Sequence, residues 1–113
     1  MTSTEIQLTN AQMHRITRAL SDPQRFAILE RIAAQDEVAC KELVAEFPIT
    51  QATISHHLKE LVASELIHLR RVGHCAVLSR REDMLAGFLR QLQERLTPPT
   101  ASQRGDEKAT TGS

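Results

Sequence analysis

Thr50-Gln51-Ala52-Thr53-Ile54-Ser55-His56-His57-Leu58-Lys59-Glu60-Leu61-Val62-Ala63 is the stretch whose reading decides the fold. Its apolar residues Ile54, Leu58, Leu61 and Val62 recur at the spacing of one helical stripe. Thr50 offers a hydroxyl to the free amides of a first turn, so the helix is expected to start there. The opposite face carries Gln51, Ala52, Ser55, His56 and Lys59, whereas a plainly solvated helix face is richer in Glu and Lys. Side chains this small let a helix sink into a DNA major groove, which is about 12 Å wide. Gln51 and His56 reach base edges on this reading. Thr53, Ser55 and Lys59 suit phosphates or bases, and the free amides above Thr50 attract phosphate as well. The alternative for the same face is simple solvation. His57 falls between Ile54 and Leu61 on the helical wheel and reads as a half-buried structural histidine.

The residues on either side give this helix its context. Lys41 to Phe47 reads as a two-turn helix with Leu43, Val44 and Phe47 inward, stopped before Pro48. Two short amphipathic helices joined by so brief a turn form a helix-turn-helix. From Leu66 the period changes. Leu66 to Val72 and Cys75 to Arg80 read as two strands around Gly73-His74, a hairpin placed as a wing. Arg70, Arg71 and His74 flank its turn and are expected to meet the minor groove or phosphates, with plain solvation as the alternative. Glu37-Val38-Ala39 is long enough only for a stub of strand.

Further out, Thr9-Asn10-Ala11-Gln12 has the form of a capping box and opens a helix with Met13, Ile16 and Leu20 on one stripe. Asp22-Pro23 opens another, expected to run to about Gln35 with Phe26, Ile28, Leu29 and Ile32 forming a broad apolar face. Glu82 to Leu96 is a last helix with Leu85, Phe88, Leu89, Leu92 and Leu96 on one side. The expected organisation is an arm over residues 1–8, one winged helix-turn-helix domain over 9–96, and a disordered tail over 97–113. The expected class is mainly α with a small β-hairpin: about five helices and a two-stranded wing.

The chain has 113 residues, with 14 basic and 14 acidic side chains, 41% hydrophobic and 3% aromatic. That suits one domain whose aliphatic core is marginal alone and gains from a dimer. The zero net charge hides a gradient, net −3 from Asp22 to Glu46 and net +3 from Thr50 to Arg81. A locally basic segment suits a phosphate-facing surface. Two cysteines are too few for a disulfide scaffold, and Met1 to Asn10 lacks the pattern of a signal peptide. No apolar run approaches the roughly 20 residues that span a bilayer, so a cytoplasmic location is expected.

Three segments together resemble the ArsR (arsenical-resistance regulator) family. Ala19-Leu20-Ser21-Asp22-Pro23-Gln24-Arg25-Phe26-Ala27-Ile28-Leu29 is similar to its ALADPTRxxIL opening, and Thr50 to Leu61 to its SQPTVSRHLKxL recognition helix. Leu66-Ile67, Arg70-Arg71 and Gly73 fit its GLV-x-x-RREGR wing. The resemblance covers residues 10–96. It implies a homodimer that binds a partly palindromic promoter operator in double-stranded DNA and represses until an inducer binds. It also implies a dimer interface on the first and last helices, drawing on Met13, Ile16, Leu20, Leu85, Phe88, Leu89, Leu92 and Leu96.

Many members of that family bind metal, but the matching positions here are depleted. In the box resembling ELCVCDL, Ala39 and Lys41 stand at the two thiolate positions and Cys40 lies between them. The last helix, from Glu82 to Leu96, has no histidine for the other common site, and zinc needs about four N, S or O ligands. His14, His56, His57, His68 and His74 are scattered over separate elements. No metal or other cofactor is expected, and the inducer stays unassigned. Cys40 reads as a small buried residue or a reactive thiol, and Cys75 as too distant for a disulfide with it. No phosphate loop, nucleophile elbow or placed acid pair points to an enzyme. The rival readings are a metal- or thiol-responsive sensor of the same family, and a winged helix used for protein interaction without DNA.

Overall fold

A computed structural model describes residues 6–98. The elements run α1 (Asn10–Leu20), α2 (Pro23–Ala33), β1 (Val38–Ala39), α3 (Cys40–Glu46), α4 (Gln51–Ala63), β2 (Ile67–Val72), β3 (Cys75–Arg80) and α5 (Glu82–Leu96). The fold is a winged helix-turn-helix, mainly α, with five helices and a small antiparallel sheet. Most of the expected tail, 99–113, lies outside the described residues.

The helix starts are chemical. Thr9 and Gln12 form the reciprocal capping box, with Thr9 N–H donating to Gln12 Oε1 at 2.8 Å and Gln12 N–H to Thr9 Oγ1 at 3.1 Å. Asp22 Oδ1 accepts from the amides of Gln24 and Arg25, and Pro23 occupies the first helical position. Those amides hold the Asp22 carboxyl below its usual pKa, the Arg25 amide first. Thr50 Oγ1 accepts from Thr53 N–H at 3.1 Å. The end of α4 is equally defined. Leu66 N–H returns to Leu61 O and Glu65 N–H to Val62 O, the paired bonds of a Schellman motif. Glu65 takes φ +64° there, where glycine is the usual occupant.

The core is one cluster. Ile16, Ile28, Ile32, Leu43, Ile54, Leu61 and Leu78 are fully buried, with Met13, Leu58, Ile67, Met84 and Phe88 close behind. Each such side chain contributes about 1.5–3 kcal/mol by leaving water. It is aliphatic throughout apart from Phe88.

The structure corrects four expectations. The wing belongs to a three-stranded sheet in the order β1-β3-β2, because Val38 and Ala39 pair with Leu78 and Val77. Helix α2 stops at Ala33, where Arg80 donates to the carbonyls of Ala33 and Gln35 and fastens the helix end to the sheet. Phe26 is 43% exposed, because it precedes the buried Ile28 by two residues and so points about 200° away from it. Val62 is 38% exposed, since it lies seven residues after Ser55 and shares that outward line rather than the Ile54–Leu61 stripe.

Of the expected arm, residues 6–8 dock on α5. The buried Gln91 side chain accepts from Leu8 N–H at 2.5 Å and donates to Leu8 O at 3.1 Å, and Arg90 donates to Ile6 O. Gly87 makes room, since a Cβ there would stand 3.1 Å from Ile6 O. Periodicity alone gave no hint of this contact. Its signal was a glycine and a glutamine on the helix face shared with Met84 and Phe88, away from the leucine stripe.

Candidate nucleic-acid interface

Helix α4 is held from beneath by Ile54, His57, Leu58 and Leu61, all buried. The face this leaves outward carries Gln51, Ala52, Ser55, His56 and Lys59, each exposed, with Thr50 exposed at the cap. Thr53 is half-buried, and its hydroxyl lies 3.0 Å from that of Thr50. Both threonine hydroxyls therefore shape the helix start before they meet anything outside it.

His57 ties α4 to α2. Its Nε2 lies 2.9 Å from Gln24 Oε1, an arrangement satisfied when Nε2 carries the proton and donates. Nδ1 is buried without a partner among the described residues. Burial pushes the His57 pKa down, Asp22 pulls it up, and Arg25 and His56 push it further down. A neutral ring fits this place, because a bare lone pair is easier to bury than a charged N–H.

The wing carries its two arginines on different faces. Leu69 pairs with Leu78 and Arg71 with Ala76, so Ile67, Leu69 and Arg71 share the face turned to the helices. Arg70 takes the other face and lies 2.5 Å from Glu37. The adjacent Arg70 and Arg71 are thus not equivalent. Among the described residues no ion pair engages Arg71, Lys59 or Lys41. The hairpin turns at Gly73, whose φ of +63° is the sign that the first central position of a type II′ turn requires. His74 is exposed beside it.

The basic gradient in the sequence overstates this surface. Arg81 pairs with Asp83 at 2.9 Å and Glu65 at 3.4 Å, and Arg80 with Glu82 at 2.9 Å. Arg80 thus ties β3 to the start of α5, Arg81 ties that start to the turn after α4, and Lys59 and Arg71 are left as the free cations of the stretch. Conversely, Lys41 stands exposed on α3 beside this face, although the sequence reading gave it no role there.

The expected interface residues of the terminal helices divide. Met13, Ile16 and Phe88 are buried in the protomer's own core, and Leu20 and Leu92 are half-buried against it. Leu85, Leu89 and Leu96 are exposed by 41%, 53% and 74%. Three large leucines thus remain uncovered on one helix.

A family profile described as a helix-turn-helix domain matches residues 20–70. The arsenical resistance operon repressor of Staphylococcus xylosus is 38% identical over 63 residues, covering 56% of this chain and 60% of that protein. A transcriptional repressor SmtB homolog of Synechocystis is 28% identical over 85 residues, covering 75% of this chain and 64% of its own. Residues 20–70 form a helix-turn-helix domain, and the chain is similar in sequence to these two repressors. Its matches span less than two thirds of those relatives' own lengths. An ArsR-like transcriptional regulator from Rhodococcus sp. RHA1 has the same fold, with a TM-score of 0.72 at 23% identity, over 91% of this chain and 95% of that one.

The residues present do not fit the metal sites that the resemblance implies. Ala39 and Lys41 stand at the thiolate positions, and among the described residues no group of three or more His, Cys, Asp or Glu is placed to hold an ion. Both cysteines are free, Cys40 half-buried and Cys75 exposed. Burial pushes the Cys40 thiol pKa up against the opposing pull of Arg71. The pleat sets Cys75, opposite Val72, on the face away from Ala76 and Leu78. No described helix is long and apolar enough to cross a membrane.

Proposed function

We propose that this protein is a homodimeric transcriptional repressor of the cytoplasm that binds a partly palindromic operator. Helix α4 enters the major groove, with Gln51 and His56 at base edges and Ala52 and Ser55 allowing close approach. Thr50, Thr53 and Lys59 meet the backbone around the helix start. Arg71 and His74 follow the groove from the wing, and Arg70 joins them once it leaves Glu37. The single observation that carries this reading is the α4 surface: a small, polar, acid-free row of Gln51, Ala52, Ser55, His56 and Lys59 stands free above a fully buried stripe. The two relatives named as repressors lend support.

Exposed apolar surface supports the dimer. Leu85, Leu89 and Leu96 leave apolar surface in water that a second α5 would cover, with α1 and Leu20 alongside. Two-fold symmetry then presents two α4 helices to half-sites about 34 Å apart, one turn of the duplex.

Selection of bound sequences from a random duplex pool, followed by titration of the winner, tests this function. The expected outcome is an inverted repeat whose binding weakens with salt, with a slope near −0.9 for each phosphate neutralised. A folded protein that enriches no sequence and binds no duplex at low salt overturns it in favour of a protein-interaction module.

A further inference from the structure

An open cavity of ≈ 830 Å³ lies between α3, α4 and the inner face of the wing. Its wall is apolar at Leu58, Val62 and Leu69, and it is flanked by Lys41, Lys59 and Arg71. Among the described residues no Asp or Glu lines it. Val62 of α4 and Leu69 of β2 stand 38% and 39% exposed, and both line this space. Phosphate contact accounts for the three cations but not for two large aliphatic side chains held open to solvent among them. Nor does a dimer through α1 and α5 cover them, since they lie on other elements.

Apolar walls with cations and no carboxylate match one ligand chemistry: a hydrocarbon body ending in an anion. The volume falls inside the range of about 300–1,000 Å³ typical of small-molecule sites. We propose that this cleft binds a small amphipathic carboxylate, with its hydrocarbon against Val62 and Leu69 and its carboxylate between Lys59 and Arg71. The same cleft includes Gln51 and Ser55 of the outward α4 row. An occupant therefore excludes DNA by direct overlap, without a transmitted conformational change. That exclusion rests on the DNA reading above, whereas binding of the carboxylate does not.

Calorimetric titration of the full chain with sodium octanoate, and with 1-octanol as the uncharged counterpart, tests the site. Octanoate is expected to bind once per chain, at least about tenfold tighter than octanol, a difference of about 1.4 kcal/mol. Leu69→Gln and Arg71→Ala should each weaken octanoate by about tenfold. Leu69→Gln, which replaces none of the residues assigned to DNA, should leave operator affinity within about twofold, and its thermal melt reports that it is folded. Octanoate should displace operator duplex competitively from the parent protein. Saturable DNA binding with no octanoate binding overturns the inference and leaves the DNA reading standing. Equal affinity for octanol, or octanoate binding indifferent to Leu69→Gln in a folded variant, overturns it too. Octanoate binding as described in a protein that binds no duplex supports the cleft and overturns the DNA reading instead.

Discussion

Helices α4 and α5 bury their inner faces alike and turn opposite chemistries outward. One buries Ile54, His57, Leu58 and Leu61, the other Met84, Gly87, Phe88 and Gln91. Outward, α4 shows Gln51, Ala52, Ser55, His56 and Lys59, while α5 shows Leu85, Leu89 and Leu96. Exposed leucines call for cover by something equally apolar, such as a second copy of the same helix. A polar row without carboxylates suits a polyanion. Amphipathicity makes a helix part of a fold, and the chemistry of the other face decides its use.

The inner faces give the sharpest break. Ile54→Ala removes a fully buried side chain and is expected to lower stability by about 3 kcal/mol. At about 4–8 °C per kcal/mol, the Tm followed by circular dichroism should fall by more than about 10 °C. Next comes the outer face of α5. Leu89→Arg is expected to give a folded monomer by light scattering and to weaken operator binding by about a hundredfold, because the two half-sites no longer act together. A dimer of undiminished affinity would assign that leucine row to something else.

On the outer face of α4 the effects are smaller and of two kinds. Lys59→Ala or Arg71→Ala should weaken binding to all duplexes about equally and reduce the salt slope by about one per chain, with the dimer mass unchanged. Gln51→Ala or His56→Ala should instead relax preference at particular base pairs, read by competition between duplexes. Thr50→Ala deletes the cap of α4 and is expected to cost about 1 kcal/mol in a denaturant titration.

The smallest expected effect is a pH dependence centred on His57. Its pKa is lowered in the folded chain, so the unfolded chain binds the proton more readily. Its contribution is fully present above the ordinary value of 6.5 and declines as pH falls below it. Between about pH 7.5 and 5.5 the parent Tm should therefore drop more than that of His57→Gln. An identical drop in both would place the titrating group elsewhere.

Much of this was legible from the chain because it is local. The starts at Thr9, Asp22 and Thr50, the stop before Pro48 and the turn at Gly73 are set by hydroxyls, a carboxylate and ring or backbone geometry within four residues. Periodicity placed Ile54, Leu58 and Leu61 in the buried stripe of α4, but it also counted Val62, which stands exposed. Legibility ended where partners are distant in sequence. Summed charge counted Arg80 and Arg81 as basic surface, yet both are held by acids at the α5 junction. Spacing could not separate Arg70 from Arg71, because strand register assigns their faces and Glu37, 33 residues away, engages only the former. The same limit applies to β1: the stub of strand was legible, but its pairing with β3 was not.

By itself, then, the amino-acid order determined which segments coil, where they begin and which flank of each is greasy, since these depend on neighbours one turn away. Tertiary structure alone decided which greasy residues were left over. Met13, Ile16 and Phe88 entered the protomer core, whereas Leu85, Leu89 and Leu96 did not. It also brought Val62 and Leu69 into one cleft bordered by Lys41, Lys59 and Arg71. The physical reason is the same in both cases. Burial and proximity depend on what packs from the other side, and that is fixed only when elements remote along the chain have docked.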